Sequence, residues 1–241
     1  MILPFLRDKR YFQQICQANH LQLDYSINRP TLPILKEIFE QRTYSDYFPF
    51  YQKATIIDIG AHFGYFSLFA HKNLHQDSKI IAIEASKENV ERLKQNIEKN
   101  AVQNVEVVSC GIGSKNGTVQ LYKGANVNHS ILSNYSLAKE RGELIEIQTL
   151  AQIIATHQLK YIDFLKLDCE GAEYQILETL PSETYQKIGV ISMEFHDLKD
   201  AQYNGDFLRR ILVQNGFAIV KYEYGASSMG NNYGRMVGVS V

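Results

Sequence analysis

The chain has 241 residues, 45% of them hydrophobic, and its 25 Lys and Arg nearly balance 26 Asp and Glu. That length supports one hydrophobic core with a short addition and leaves little room for a second full domain. The balanced charge, without a clustered basic stretch, argues against a nucleic acid as partner.

Cys16, Cys110 and Cys169 are odd in number and scattered, which fits reduced thiols in a cytoplasmic protein better than a disulfide framework. The apolar run Met1 to Leu6 meets Arg7, Asp8, Lys9 and Arg10 at once, too short for the apolar region of a signal peptide. No later stretch reaches the roughly 18 uncharged apolar residues of a membrane helix. The expectation is a soluble chain with no membrane partner.

In chain order, residues 1 to about 50 hold helical fragments, notably Leu35 to Gln41 after the breakers Pro30 and Pro33, and read as an aromatic-rich cap. The main domain then spans 51–241. Ala54–Ile59 and Lys79–Ile83 are short β-branched runs, each followed by a helical pattern, as buried parallel strands should be. The helices cover Tyr65–Leu74 and Lys87–Asn100, the second with Val90, Leu93 and Ile97 on one face, and a strand follows at Val105–Val108. Gly117–Tyr122 and Glu143–Ile147 flank a polar loop and suggest a peripheral ribbon. The parallel rhythm resumes with a helix at Leu150–His157, strands at Ile162–Leu167 and Ile188–Met193, and helices at Ala172–Leu180 and Asp206–Asn215, the last closed by Gly216. Phe217–Tyr222 and Met236–Val241 are joined by a Gly- and Asn-rich loop that cannot serve as a crossover, so the last strand should run antiparallel. The expected fold is α/β and Rossmann-like: a mostly parallel seven-stranded sheet with an antiparallel last strand and helices on both faces. A small β-ribbon insertion and the N-terminal helical cap complete it.

The segment Asp58-Ile-Gly-Ala-His-Phe-Gly64 puts two glycines in a tight turn between a strand and a helix, at the carboxyl edge where open α/β sheets bind ligands. Glu84 ends the next strand, where a carboxylate can accept from both hydroxyls of a ribose. A dinucleotide fingerprint needs a glycine two positions after Gly60, and His62 stands there. S-adenosylmethionine carries a nucleoside and an amino-acid tail but no phosphate, and fits better. On this reading Asp58 meets the ammonium of the tail and Gly60 leaves room for it. Ala61, His62, Gly64, Tyr65, Phe66, Ala85, Cys110, Gly111, Asp168 and Glu170 form the remaining walls.

Taken with Asp163-Phe-Leu-Lys-Leu-Asp-Cys-Glu-Gly-Ala-Glu173 and Ser192-Met-Glu-Phe-His196, the turn resembles the FkbM family of methyltransferases over residues 44 to 241. The resemblance implies a Rossmann-like sheet, S-adenosylmethionine as methyl donor and, for many members, O-methylation of natural products and sugars. This chain has His62 where asparagine is common in the family.

Asp168 and Glu170 follow one central strand, and Glu194 and His196 end the next, so all four can project toward the transferred methyl group. Asp168 and Glu170 can alternatively cap the helix that follows. An unperturbed histidine, with a pKa of ~6.5, suits removal of a hydroxyl proton, so His196 is the expected base, with Asp168 or Glu194 orienting it or holding the acceptor. A divalent metal on Asp168, Glu194 and His196 is the rival arrangement. Cys169, flanked by carboxylates, reads as a packing residue. For the acceptor side the candidates are Tyr44 and Tyr47 with the loop residues Asn128, His129 and Ser130. The expected activity is methylation of a hydroxyl or carboxyl on a small molecule, peptide or sugar. A non-catalytic adenosyl-binding scaffold and a dinucleotide oxidoreductase are the alternatives.

Overall fold

In the computed structural model, residues 2–123, 129–130, 140–196, 203–226 and 232–241 are described. The N-terminal segment is helical through much of its length: α1 (Ile2–Ala18), a short α2 (Tyr25–Asn28) capped by the Asp24 side chain, a 3₁₀ turn (Arg29–Thr31) and α3 (Leu32–Phe39). Pro30 and Pro33 occupy first-turn positions, where no N–H is required, so they start these turns rather than break them. For that reason α3 begins earlier than the expected Leu35. It also stops at Phe39, short of the expected Gln41.

The alternation of strand and helix then follows: β1 (Thr55–Ile59), α4 (Tyr65–Asn73), β2 (Lys79–Glu84), α5 (Lys87–Lys99) and β3 (Val105–Ser109). Next come β4 (Gly111–Ile112), β5 (Gly117–Lys123), β6 (His129–Ser130) and β7 (Glu140–Gln148). The chain continues with α6 (Leu150–Thr156), β8 (Ile162–Leu167), α7 (Glu173–Thr179), α8 (Ser182–Tyr185), β9 (Ile188–His196), α9 (Gly205–Gln214), β10 (Phe217–Ala226) and β11 (Asn232–Ser240). The main sheet has the order β10-β11-β9-β8-β1-β2-β3, and β11 lies antiparallel to both of its neighbours. The expected ribbon is the centre of a second sheet of four strands, β4-β7-β5-β6, because β4 and β6 add to its edges.

Successive residues of a strand face opposite sides of the sheet, and the two faces carry separate cores. Ile57, Ile81, Leu165 and Ile191 pack with residues of α6, α7 and α9 on one side. Ile56, Ile80 and Phe164 pack on the other with α4, with Phe12, Leu35 and Phe39 of the cap, and with Phe48, whose ring lies 5.4 Å from those of both Phe69 and Phe164. The cap therefore completes one face of the sheet.

A buried polar knot fixes the cap in place. Asn28 is fully buried; its Oδ1 accepts from the Tyr65 hydroxyl (2.7 Å) and from Asn96 Nδ2 (3.1 Å), and Thr31 Oγ1 lies 2.6 Å from the same hydroxyl. Asn96 Nδ2 also donates to the carbonyl of Phe63 at 2.9 Å, which ties α5 to the turn before α4. Asn28→Ala removes the acceptor shared by the Tyr65 hydroxyl and Asn96 Nδ2, leaving them only Thr31 and the Phe63 carbonyl, and should destabilise the fold by about 1–2 kcal/mol. Tyr65→Phe, which removes donor and hydroxyl together, should cost about 1 kcal/mol. Urea midpoints at constant m-value check both.

Candidate functional site

The order of the main sheet reverses beside β1: β2 and β3 lie to one side of it, β8 and β9 to the other. Such a switch point leaves a crevice at the carboxyl ends of the strands. Here the crevice is a cavity lined by the turn after β1, by the ends of β2, β8 and β9, and by the cap.

The turn after β1 is built by backbone bonds: the amides of Gly60 and Ala61 both donate to the carbonyl of Ile83 at 3.0 Å, and Gly64 N–H donates to Ala61 at 2.7 Å. Gly60 and Gly64 have φ of 73° and 80°, the left-handed region that favours glycine. A Cβ on Gly60 would stand 1.8 Å from the carbonyl oxygen of Asp168. That oxygen, not a ligand's tail, is what requires a glycine there, which corrects the expectation that the space was reserved for the tail. Gly64 packs against Leu93 at the start of α4 and lies outside the cavity lining.

Glu84, the last residue of β2, is buried and lines the cavity. Its Oε2 accepts the amide of His62 at 2.8 Å, and its Oε1 accepts the amide of Ser86 at 2.9 Å and Asn89 Nδ2 at 3.3 Å. The carboxylate is thus fixed in orientation and holds the turn as well. His62 has φ of 52°, a conformation that asparagine tolerates better than most residues, and its ring stacks on Phe63 at 4.3 Å. Ala61, His62, Tyr65, Phe66, Ala85, Cys110 and Gly111 complete this half of the wall, and the Cys110 thiol is pushed up to about 12 by burial and by Glu146.

Asp58 is not on the cavity wall. It is fully buried beneath Lys166, whose Nζ lies 3.1 Å from Asp58 Oδ1, while Ser67 donates to Oδ2 at 2.7 Å. Lys166 Nζ also donates to the Gly60 carbonyl at 2.9 Å and lies 3.8 Å from Asp168 Oδ2, with the ring of Tyr44 5.3 Å away. Burial alone would lower its pKa, but Asp58 and Asp168 outweigh this and raise it, so the ammonium stays charged. The sequence reading overlooked Lys166; its signal was a lysine between two leucines near the carboxyl end of a parallel strand.

The other half of the wall is acidic. Asp168 Oδ2 accepts the Tyr44 hydroxyl at 3.0 Å; burial, then the charges of Asp168, Glu194 and Glu37, push that hydroxyl well above its usual range, so it remains a donor. Glu194 lies within β9, opposite Arg235 of β11, with Arg235 Nε 3.5 Å from its Oε2. Arg235 Nη2 donates to Glu37 Oε1 of α3 at 2.6 Å. Glu37, Tyr44, Asp168, Glu170 and Glu194 all line the cavity. Glu37 also escaped the sequence reading, since one charge on a cap helix carries no local mark of its destination. Tyr47 is 60% exposed and outside the lining, and α7 is capped by neither Asp168 nor Glu170, its N-cap being Ala172. His129 and Ser130 form a two-residue strand paired with β5, and Asn128 lies outside the described residues.

His196 is buried behind Glu170 and Glu194 rather than on the wall, because β9 continues to His196 instead of ending at Met193. Its Nε2 lies 3.5 Å from Glu194 and 3.6 Å from Glu170, and its Nδ1 is 3.8 Å from the fully buried Glu173. Burial alone would lower its pKa, but these three carboxylates more than compensate and hold it well above 6.5. That differs from the unperturbed histidine expected of a general base: a protonated imidazole cannot take another proton. Glu170, at φ 53°, is pushed up to about 7, chiefly by burial. Cys169 donates its amide to Glu173 at 2.9 Å, and burial beside Glu173 and Asp168 drives its thiol well above the usual range.

Asp168, Glu194 and His196 could each offer one atom to a metal, all within 4.8 Å of one another. The set does not fit a divalent cation as it stands. Lys166 and Arg235 already meet the two carboxylates, and His196 Nε2 is turned to Glu170 and Glu194, so a cation there would compete with ion pairs already made. A histidine pKa raised on folding stabilises below its unfolded value and loses that contribution as pH climbs through the folded one. His196→Gln should therefore destabilise by about 2 kcal/mol below pH ~6.5 and by progressively less at higher pH. Urea unfolding across pH, with the imidazole shifts followed by NMR, checks the sign.

Comparison with known proteins gives the family and supports the fold. A family profile described as "Methyltransferase FkbM domain" matches residues 58–219, about two thirds of the chain. The chain is 29% identical over 207 residues to "Methyltransferase 1" of Beauveria bassiana, covering 77% of this chain and 80% of that one. Among solved structures it resembles Methyltransferase FkbM from Methylobacillus flagellatus KT, at 16% identity and a TM-score of 0.50 over 97% of this chain and 60% of that one. It also resembles M. capricolum TrmK in complex with S-adenosyl-homocysteine, at 14% identity and a TM-score of 0.50 over 83% and 67%. No described helix is long and apolar enough to cross a membrane. The chain belongs to the FkbM family of S-adenosylmethionine-dependent methyltransferases.

Proposed function

We propose that the protein methylates a hydroxyl group of a small molecule, peptide or sugar, with donor and acceptor meeting in the cavity at the β1/β8 crevice. The observation that carries this reading is the division of one cavity into two walls: a fixed Glu84 beside a turn without a phosphate cradle, and a carboxylate-rich wall at Glu37, Asp168, Glu170 and Glu194. The bound donor supplies an electrophilic methyl carbon on a positively charged sulfur.

Glu84 would accept from the ribose hydroxyls, and Gly60, Ala61, Ala85, Cys110 and Gly111 would enclose the nucleoside. Asp168, on the wall where Asp58 is not, would receive the ammonium of the amino-acid tail. The acidic wall favours a neutral hydroxyl over a carboxylate or a nucleic-acid backbone, since an anion brought against those charges is repelled. His196 acts through others: as a cation it fixes Glu170 and Glu194. Alignment and exclusion of water then supply much of the rate.

Calorimetry should show S-adenosylmethionine and S-adenosylhomocysteine binding and NAD not binding. Glu84→Gln should weaken S-adenosylhomocysteine by about 1–3 kcal/mol, roughly ten- to a hundredfold; unchanged affinity in a folded variant removes Glu84 from the site. With tritiated methyl donor and a panel of methyl glycosides and hydroxyl-bearing peptides, label should enter alkali-stable ethers. Label in alkali-labile esters would point to a carboxyl acceptor, and binding without any transfer to a scaffold.

A further inference from the structure

We propose that Glu37 of the N-terminal cap is a catalytic residue, taking the proton of the acceptor hydroxyl as the methyl group arrives. This rests on the reading of the cavity as the site of methyl transfer to a hydroxyl.

Glu37 reaches the cavity from α3, which lies outside the segment matched by the family profile. It shares the wall with Tyr44, Asp168 and Glu194. Arg235 holds Oε1 at 2.6 Å, and Oε2 has no hydrogen-bond partner among the described residues, so an oriented oxygen remains to accept a proton. Its rivals on the wall are differently employed. Asp168 already accepts from Tyr44 and faces Lys166, and Glu170 lies against the His196 cation. The groups facing Glu37 are Arg235 from β11, Glu194 from β9, Lys166 and Asp168 from β8 and the turn beyond it, and Tyr44 from the segment after α3. Burial first, then Glu194 and Asp168, raise its pKa to about 7 against the opposing pull of Arg235 and Lys166. A base with that value is substantially ionised at neutral pH and still strong enough to capture a proton. Its side chain is 26% exposed, which gives the proton an exit to water.

The step balances within the site. A lone pair of the acceptor oxygen forms the new oxygen–carbon bond, and the donor's sulfur–carbon bond breaks with its electron pair left on sulfur. The hydroxyl proton passes to Glu37.

The role requires that Glu37 titrate near neutrality and sense the charge on the donor's sulfur, and both can be read without an acceptor. At pH 7 a carboxyl with a pKa near 7 is about half protonated, and a cation brought beside it drives off up to roughly half a proton. Calorimetry in two buffers of different ionisation heat should find that S-adenosylmethionine releases about 0.3–0.5 proton more than S-adenosylhomocysteine, whose sulfur is neutral. Glu37→Gln should lower this difference by at least half, since Glu170 also titrates near 7 on the same wall, while still binding S-adenosylhomocysteine, which shows that it is folded. Glu37→Asp should retain a difference, and Lys36→Gln, on the exposed side of the same helix, should match the wild type. The proposal is overturned if the difference is undiminished in Glu37→Gln, if it disappears instead in Glu170→Gln, or if the wild type binds both compounds and releases equal numbers of protons. Failure of the wild type to bind either compound overturns the cofactor reading itself.

Discussion

A single buried ammonium organises the centre of this protein. Lys166 lies within β8 with Asp58 of β1 at 3.1 Å, Asp168 at 3.8 Å and the carbonyl of Gly60 at 2.9 Å. An isolated charge in that position would be very unfavourable, and so would either carboxylate without it. Together they reduce the local charge to a single negative and pin the carboxyl ends of the two central strands. Gly60 can then press against the Asp168 carbonyl so closely that no side chain fits. The turn after β1 and the Asp168 carboxylate, both on the cavity wall, are therefore held by the same cation.

Around this centre the charges are arranged in pairs that orient rather than merely attract. Arg235 bridges Glu37 of the cap and Glu194 of the sheet, His196 sits among Glu170, Glu173 and Glu194, and Tyr44 donates to Asp168. Apart from His196–Glu194, both in β9, each link joins separate elements of the chain. Buried carboxylates that are incompletely matched have raised affinities for protons, as at Glu37 and Glu170. A cavity wall of this kind attracts cations and repels anions.

The cap is part of the same construction. Its apolar residues cover one face of the sheet, and the Asn28 knot joins it to α4 and α5 through bonds that water cannot replace. Ile34, Glu37, Ile38 and Tyr44 then reach the cavity from it. Residues that look peripheral along the chain thus form part of the cavity wall.

The sequence by itself determined the order of strands and helices, the antiparallel final strand and the cofactor turn, because all are local: β-branched runs, helical periodicity and paired glycines act over a few residues. Glu84 was legible for the same reason, as the carboxylate that ends the second strand. What only the tertiary structure decided depends on neighbours distant in the chain. Asp58 looked like a ligand until Lys166 covered it, His196 looked like a neutral base until three glutamates surrounded it, and Glu37 had no visible role until Arg235 drew it to the wall. The state and direction of a charged side chain are set by burial and by the charges packed against it, and neither quantity exists before the chain has folded.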